Sequence, residues 1–190
     1  MEPRSLLDLM HTAEKLKDAT RHCYTSQGRR ESVAEHSWRM ALMAYCMWDE
    51  FPGADMEKVI RMCLIHDLGE AFTGDIPTFE KKAADEKTEE KLLMDWVDSL
   101  PENISSSMRT LFLEMAERKT PEAKIYKAID GLEALIQHNE SDIKTWIPKE
   151  LELNKTYADD KVAFSPYLTC LRQAIREDTL QKISESKKEW

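Results

Sequence analysis

A histidine and a carboxylate stand side by side at the end of an apolar segment of this chain. His66 and Asp67 follow the run Val59–Ile65, so both side chains are expected to be buried. An ionised carboxylate is costly to bury unless it is paired or binds a metal. His36 lies upstream of the pair and Asp130 lies downstream. Two imidazoles and two carboxylates could together hold one divalent ion.

This set of donors suits a transition metal better than calcium. Two nitrogens and two or more oxygens are typical of Mn, Fe, Co, Ni or Zn sites, whereas calcium is bound by oxygens. A metal that accepts six ligands would keep positions open for water and substrate, and could polarise a phosphoryl oxygen. The spacing does not prove that the four residues converge, and a histidine satisfied within the core is the alternative.

Two further acidic residues follow the pair. Glu70 would share a helix face with His66 if that helix continued for another turn. Asp75 follows Gly74, in a turn where an aspartate often closes the loop for local reasons. The functional interpretation makes Glu70 a general acid or base and Asp75 the residue that orients an attacking water.

The elements that must position these residues are predicted to be helices. Ser32 and Glu35 form a capping-box pattern that starts one helix, and Thr120 with Pro121 starts another. The predicted helices cover 6–17, 32–51, 55–68, 79–99, 105–118, 121–139 and 166–184. The segments 20–30 and 71–77 are predicted to be irregular, and 184–189 to be a frayed tail. We therefore expect one all-α domain over residues 1–190, with its motifs within about 16–140.

Composition excludes several classes of protein. With 190 residues, 42% hydrophobic and 33% charged, the chain is predicted to be globular rather than disordered. A net charge of −9 argues against binding of a nucleic-acid polymer. The four cysteines form no C-x-x-C pair and are interpreted as reduced packing residues. Without a signal-peptide pattern or an apolar run of about 20 residues, a cytoplasmic protein that does not bind membranes is expected.

The order of the motifs resembles that of the HD-domain metal-dependent phosphohydrolases. The resemblance is carried by RESVAEHS at 30–37, HDLGE at 66–70, TGDIP at 73–77 and KAID at 127–130. Within that superfamily, the chain is similar to the YfbR-type 5′-deoxynucleotidases and the HD-domain-containing protein 2 group. The similarity covers roughly residues 16–137.

The resemblance implies a fold, an activity and a set of site residues. The fold would be an all-α HD-domain helical bundle that forms a homodimer. The activity would be hydrolysis of a nucleoside 5′-monophosphate, a small-molecule substrate, with one divalent metal drawn from Mn, Co, Fe, Ni, Zn or Cu. The implied metal ligands are His36, His66, Asp67 and Asp130, the catalytic residues are Glu70 and Asp75, and the substrate-binding residues are Arg21 and Lys127.

One position departs from the family pattern. The nucleotidase prototype has a tryptophan after the arginine, and that tryptophan helps to select deoxyribose, whereas this chain has His22. An imidazole has a smaller apolar face and more polarity than an indole. His22 is therefore counted among the substrate-binding residues, with the preference between ribose and deoxyribose left open.

Two other functions remain as alternatives. Related HD domains hydrolyse cyclic nucleotides or alarmones, but a two-metal diesterase usually needs additional histidines and this chain has five in all. A non-catalytic module that binds a nucleotide or a protein is the other alternative. The retention of all four ligands and both acidic residues favours an enzyme.

Overall fold

Helices make up most of the computed structural model, which describes residues 1–186. The helices are α1 Pro3–Glu14, α2 Val33–Cys46, α3 Met56–Ile65, α4 Glu70–Thr73, α5 Ala83–Asp98, α6 Glu102–Glu117, α7 Pro121–Glu140, α8 Pro148–Leu153, α9 Asp159–Val162 and α10 Pro166–Ser186. Short 3₁₀ turns lie at Lys15–Lys17, Trp48–Glu50 and Ile143–Thr145. The predicted helical fold is confirmed.

The core forms where α2, α3 and α7 pack against one another. Met40, Met62 and Ile129 are fully buried there. Both predicted helix starts are confirmed. Ser32 Oγ accepts the N–H of Glu35 at the start of α2, and the Thr120 side chain accepts the N–H of Ala123 at the start of α7. Because these caps fix the first turns, His36 and Asp130 enter the core on helices with defined starts.

A two-stranded hairpin replaces the irregular segment that was predicted at 20–30. Strand β1 (Thr20–Tyr24) pairs antiparallel with β2 (Arg30–Ser32), and Gly28 supplies the positive φ of 83° in the turn. The register shifts between Thr20 and Tyr24, as at a β-bulge. Strands this short carry little alternation, so the prediction of an irregular segment at 20–30 was wrong.

The chain after α3 turns earlier than predicted. The helix ends at Ile65 rather than Leu68, and Glu70 begins α4 instead of extending the helix of His66. The N–H of Leu68 donates to the C=O of Ile65, and the N–H of Glu70 donates to the C=O of Asp67. Each of these hydrogen bonds spans three residues instead of the four of an α-helix. These bonds coil the chain more tightly than an α-helix does, with Gly69 at a weak point for helix formation.

Several other boundaries also differ from the predictions. Part of the predicted loop 71–77 belongs to α4, α5 starts four residues late, and α6 starts directly after Pro101 rather than at Ser105. Helices α8 and α9 were not predicted. Ser184–Ser186 continue α10, and the rest of the predicted tail lies outside the described residues. Cys23 and Cys63 are buried as expected, but Cys46 and Cys170 are exposed and do not pack in the core.

Helices α7 and α9 approach each other closely at one glycine. A Cβ placed on Gly131 would lie 2.9 Å from the Cβ of Ala158 and 3.5 Å from Lys161 Nζ. Ala158 is 2% exposed and has a left-handed backbone, with φ of 66°. This strained residue starts α9, and the absent side chain at Gly131 lets α9 lie directly on α7. Among residues 1–186, no helix has the length and hydropathy that crossing a membrane requires.

We predict that Gly131→Ala destabilises the protein by about 1–3 kcal/mol, because the added methyl group overpacks the α7–α9 contact. This cost exceeds the gain of up to about 1 kcal/mol that alanine brings to a helix. Urea denaturation measures the difference. Gly53→Ala is the matched control, since its added Cβ meets no atom within 4 Å. A Gly131→Ala protein as stable as the wild type would contradict the close contact.

Candidate metal centre and substrate cavity

Three of the four predicted metal ligands meet at the ends of α2 and α3. One donor atom each from His36, His66 and Asp67 lies within 4.8 Å of the other two. Asp67 Oδ2 is 2.9 Å from His66 Nε2 and 3.9 Å from His36 Nε2. His66 and Asp67 are adjacent at the end of α3, where the rise per residue is only about 1.5 Å, so both side chains can reach one point beside the chain.

Each imidazole is held through its Nδ1 atom, and its Nε2 atom faces Asp67. His66 Nδ1 donates to the carbonyl of Cys63 at 2.9 Å, and His36 Nδ1 contacts a carboxylate oxygen of Glu133. This leaves Nε2 as the ligand atom of each ring. His66 Nε2 is buried, and it faces the Asp67 carboxylate. Two ring nitrogens that converge on a carboxylate are what a divalent metal site requires, and the residues therefore fit such an ion.

Asp130 lies at the edge of this group. Its Oδ1 is 3.3 Å from His36 Nε2, and its Oδ2 is 2.6 Å from Lys127 Nζ. Burial would raise the pKa of Asp130, but the Lys127 ammonium and the His36 imidazole hold it well below the usual range. Asp130 is thus an anion that a metal could share with Lys127.

A buried network of charges supports His36. Glu133 is fully buried and binds Arg39 Nε at 2.7 Å through the oxygen that does not face His36. Glu31 is also buried and lies 3.1 Å from Arg21 Nε. Glu31, His36 and Glu133 form a second cluster with metal-ligand geometry. Since both carboxylates already pair with arginines, we assign neither to a second ion, and Glu133 is the one that holds His36.

The two predicted catalytic residues are also close to this centre. Burial, together with the Asp67 and Asp75 carboxylates, raises the pKa of Glu70 to about 10. Burial also raises the pKa of Asp75, although Arg21 opposes the change. Glu70 is 6% exposed, and its Oε2 has no hydrogen-bond partner among residues 1–186. These surroundings favour the protonated form of Glu70.

A cavity of about 400 Å³ joins these groups, a volume suited to a small metabolite. His36 and His66 lie behind its wall. Of the predicted site residues, those that line it are Arg21, His22, Asp67, Glu70, Asp75, Lys127 and Asp130. Arg21 Nη1 lies 3.8 Å from Asp67 Oδ2. The bulge in β1 explains how the adjacent residues Arg21 and His22 can reach the same cavity.

Sequence reasoning missed a second wall of the cavity. Residues of the α8–α9 segment line it, namely Glu150, Leu153, Asn154, Tyr157 and Lys161. His22 and His138 have no evident partner in the sequence, yet Glu150 Oε1 lies 3.0 Å from His22 Nε2 and 2.8 Å from His138 Nε2. Pro148 followed by Glu150, which accepts the N–H of Ile147, is a helix-start signal that could have located this segment.

Comparison with known proteins identifies the family. A family model described as an HD domain matches residues 13–169. The chain belongs to the HD-domain family. The resemblance inferred from the four motifs is therefore confirmed.

Named relatives and solved structures agree with this assignment. The chain is 32% identical to 5′-deoxynucleotidase HDDC2 of Xenopus laevis over 189 aligned residues. The alignment covers 96% of this chain and 92% of the relative. It is 29% identical to 5′-deoxynucleotidase hdd1 of Schizosaccharomyces pombe over 74% of each chain. A predicted metal-dependent phosphohydrolase from Magnetospirillum magnetotacticum has a similar structure, with a TM-score of 0.79, 26% identity, and coverage of 94% of this chain and 95% of that one.

We predict that Glu133→Gln weakens binding of Mn²⁺ or Co²⁺ by about 10–100-fold, because the neutral amide polarises and orients His36 less well. Isothermal titration calorimetry measures the affinity. Glu140→Gln is the matched control, since Glu140 binds the same Arg39 at 2.6 Å but lies on the surface. Unchanged metal affinity in a folded Glu133→Gln protein would show that Glu133 does not support the ligand.

Proposed function

We propose that the protein is a metal-dependent phosphomonoesterase that hydrolyses nucleoside 5′-monophosphates to nucleoside and phosphate. One observation carries the proposal: the carboxylates of the metal-fitting group, a buried carboxyl and two cations line a single cavity of about 400 Å³. The predicted enzyme class, a metal-dependent phosphohydrolase, is confirmed by relatives named 5′-deoxynucleotidase and by the phosphohydrolase of similar structure. A cytoplasmic location belongs to the proposal.

His36, His66, Asp67 and Asp130 would hold the metal. When bound, a divalent ion supplies positive charge that stabilises a phosphoryl group and lowers the pKa of a water. The mixture of imidazole and carboxylate donors supports a transition metal. Its own charge would also lower the pKa of neighbouring carboxyls such as Glu70.

Arg21 and Lys127 would bind the phosphate. Both line the cavity, and each already faces a carboxylate of the centre: Arg21 faces Asp67 at 3.8 Å, and Lys127 faces Asp130 at 2.6 Å. A guanidinium can form two parallel hydrogen bonds to phosphate oxygens. These cations would offset the negative charge that the carboxylates bring to the cavity.

Glu70 and Asp75 would move the protons. Asp75 accepts a proton from the water that attacks phosphorus, and Glu70 gives its proton to the 5′ oxygen as the phosphorus–oxygen bond breaks. The burial of Glu70 supports its role as the acid, because burial raises its pKa and a general acid must hold its proton before the reaction. The products are a nucleoside with a free 5′ hydroxyl and inorganic phosphate.

Release of phosphate from a panel of ribo- and deoxyribonucleoside 5′-monophosphates tests the proposal, with Mn²⁺, Co²⁺, Ni²⁺, Zn²⁺, Fe²⁺ and Cu²⁺ supplied in turn. Glu70→Gln is expected to lower kcat by about 10²–10⁴-fold, because it removes the proton donor. Glu80→Gln, an exposed residue nearby in the chain, is the control and should retain wild-type activity.

Three outcomes would decide against the proposal. The folded wild-type protein could release no phosphate with any metal. It could act only on cyclic nucleotides or 3′-pyrophosphates, which would favour the alternative hydrolases. Asp67→Ala could also abolish metal binding yet leave nucleotide turnover intact, and catalysis would then not depend on this centre.

We also propose that the protein forms a homodimer through the outer face of α2. Trp38, Leu42 and Tyr45 recur there at helical spacing and are 61%, 43% and 67% exposed. The opposite face of the same helix carries Met40 and Ala44 into the core. Exposed aromatic residues in one stripe are typical of protein–protein interfaces, and a second copy of the chain is the proposed partner.

Light scattering after size-exclusion chromatography is expected to give twice the chain mass for the wild type. Trp38→Glu with Tyr45→Glu should give a monomer, because charges would be buried in the interface. Leu113→Glu, at a residue on α6 that is 55% exposed, should leave the dimer intact. A wild-type monomer at micromolar concentration would overturn this part of the proposal.

A further inference from the structure

The second wall of the cavity runs alongside α7. Five residues of α7 line the cavity, and four of them share one face of the helix: Lys127, Asp130, Ala134 and His138, with Leu135 beside them. Asp130 and His138 are eight residues apart, or about 12 Å at the rise of an α-helix. The cavity therefore extends from the metal-fitting group at Asp130 to a second end at His138.

The α8–α9 segment follows this stripe in the opposite direction. It begins at the His138 end, where Glu150 lies 2.8 Å from His138. It ends beside Gly131, the residue that follows Asp130, where Lys161 Nζ lies 3.5 Å from the Cβ position of Gly131. Asn154 is one turn after Glu150 and thus belongs to the end remote from the metal-fitting group.

Asn154 carries an unsatisfied polar group into this wall. The residue is 4% exposed and lines the cavity, and its Nδ2 has no hydrogen-bond partner within residues 1–186. An unpaired buried donor costs about 1–3 kcal/mol, so such groups usually have a function. A ligand in the cavity that offers an acceptor would satisfy it.

The backbone of this wall is held by α10. Arg172 is 2% exposed, and its guanidinium donates to the carbonyl of Asn154 at 3.1 Å and to that of Tyr157 at 2.8 Å. The same guanidinium lies 3.1 Å from Asp159. Three contacts from one rigid side chain fix the turn that presents Asn154, as expected of a binding group rather than of a loose surface loop.

We propose that Asn154 is a specificity-determining residue that hydrogen-bonds the nucleobase of the substrate. This inference rests on the proposed function, which places the phosphate at the Asp130 end of the cavity. The base of a nucleotide bound in this way extends towards His138, into the wall that carries Asn154. The side-chain amide faces the edge of the base that distinguishes uracil from cytosine, where Nδ2 donates to the uracil carbonyl and Oδ1 accepts from the cytosine amino group.

Asn154→Asp tests the proposal, because it replaces the amide donor with an acceptor of the same shape. Cytosine offers an amino donor where uracil offers a carbonyl acceptor. The kcat/KM ratio for cytidine over uridine 5′-monophosphate is expected to rise about tenfold in the variant. The ratio cancels any general repulsion between the new carboxylate and the phosphate. In Asn154→Ala, KM should rise about tenfold for both substrates while kcat changes little.

Binding of cytidine and uridine to metal-free protein, measured by ligand-observed NMR, gives a second readout. These nucleosides carry no phosphate, so their binding depends on neither turnover nor metal. Asn154→Asp should shift the ratio of their dissociation constants towards cytidine by a similar factor. Asn103→Asp, at an exposed residue of α6, is the control and should shift neither ratio.

The two hypotheses fail in different ways. If the wild type releases phosphate from nucleotides but neither ratio changes in Asn154→Asp, the base contact is overturned and the proposed function stands. If the wild type releases no phosphate, the proposed function fails. The nucleoside affinities then still decide whether Asn154 binds a base, and absence of nucleoside binding by the wild type overturns the inference.

Discussion

The contact between His36 and Glu133 is the interaction on which the rest of the site depends. Both side chains are completely buried, and Arg39 engages the second carboxylate oxygen. Removing one partner from a buried charge pair typically costs about 3–5 kcal/mol, because the other charge is left uncompensated. The same pair directs His36 Nε2 towards Asp67. Stability and chemistry therefore share one pair of residues, which links α2 to α7 through the centre of the core.

The other side chains of the centre are positioned by short segments at the ends of helices. An α-helix that continued past Ile65 would point His66 and Asp67 in directions about 100° apart. In this protein the two side chains nevertheless meet, with Asp67 Oδ2 2.9 Å from His66 Nε2. The β1–β2 hairpin places Arg21 in the wall of the same cavity. A bundle of ordinary helices thus gains its reactive features at the points where helices end.

The sequence predicted the chemistry better than the shape of the cavity. Periodicity and caps located α2 and α7, and the apolar run located α3, because these signals are local and strong. His66 and Asp67 could be recognised because a carboxylate after an apolar run needs a partner. Glu31, Glu150 and Asn154 carry no such signal: their partners are distant in the chain, and only the fold brings them to the cavity. The hairpin was missed because three to five residues per strand are too few to establish a period.

Arg172 supports a wall of the cavity that is separate in sequence from the proposed reactive residues. Every proposed metal ligand and proton donor precedes residue 140, whereas the wall that α10 supports follows residue 147 and contributes no metal ligand among the described residues. Arg172 itself lies beyond the span that matches the family model. Substitutions in this later segment can therefore alter what the cavity admits without disturbing the groups that react. In evolution, such an arrangement lets one hydrolytic centre be retained while its range of substrates diverges.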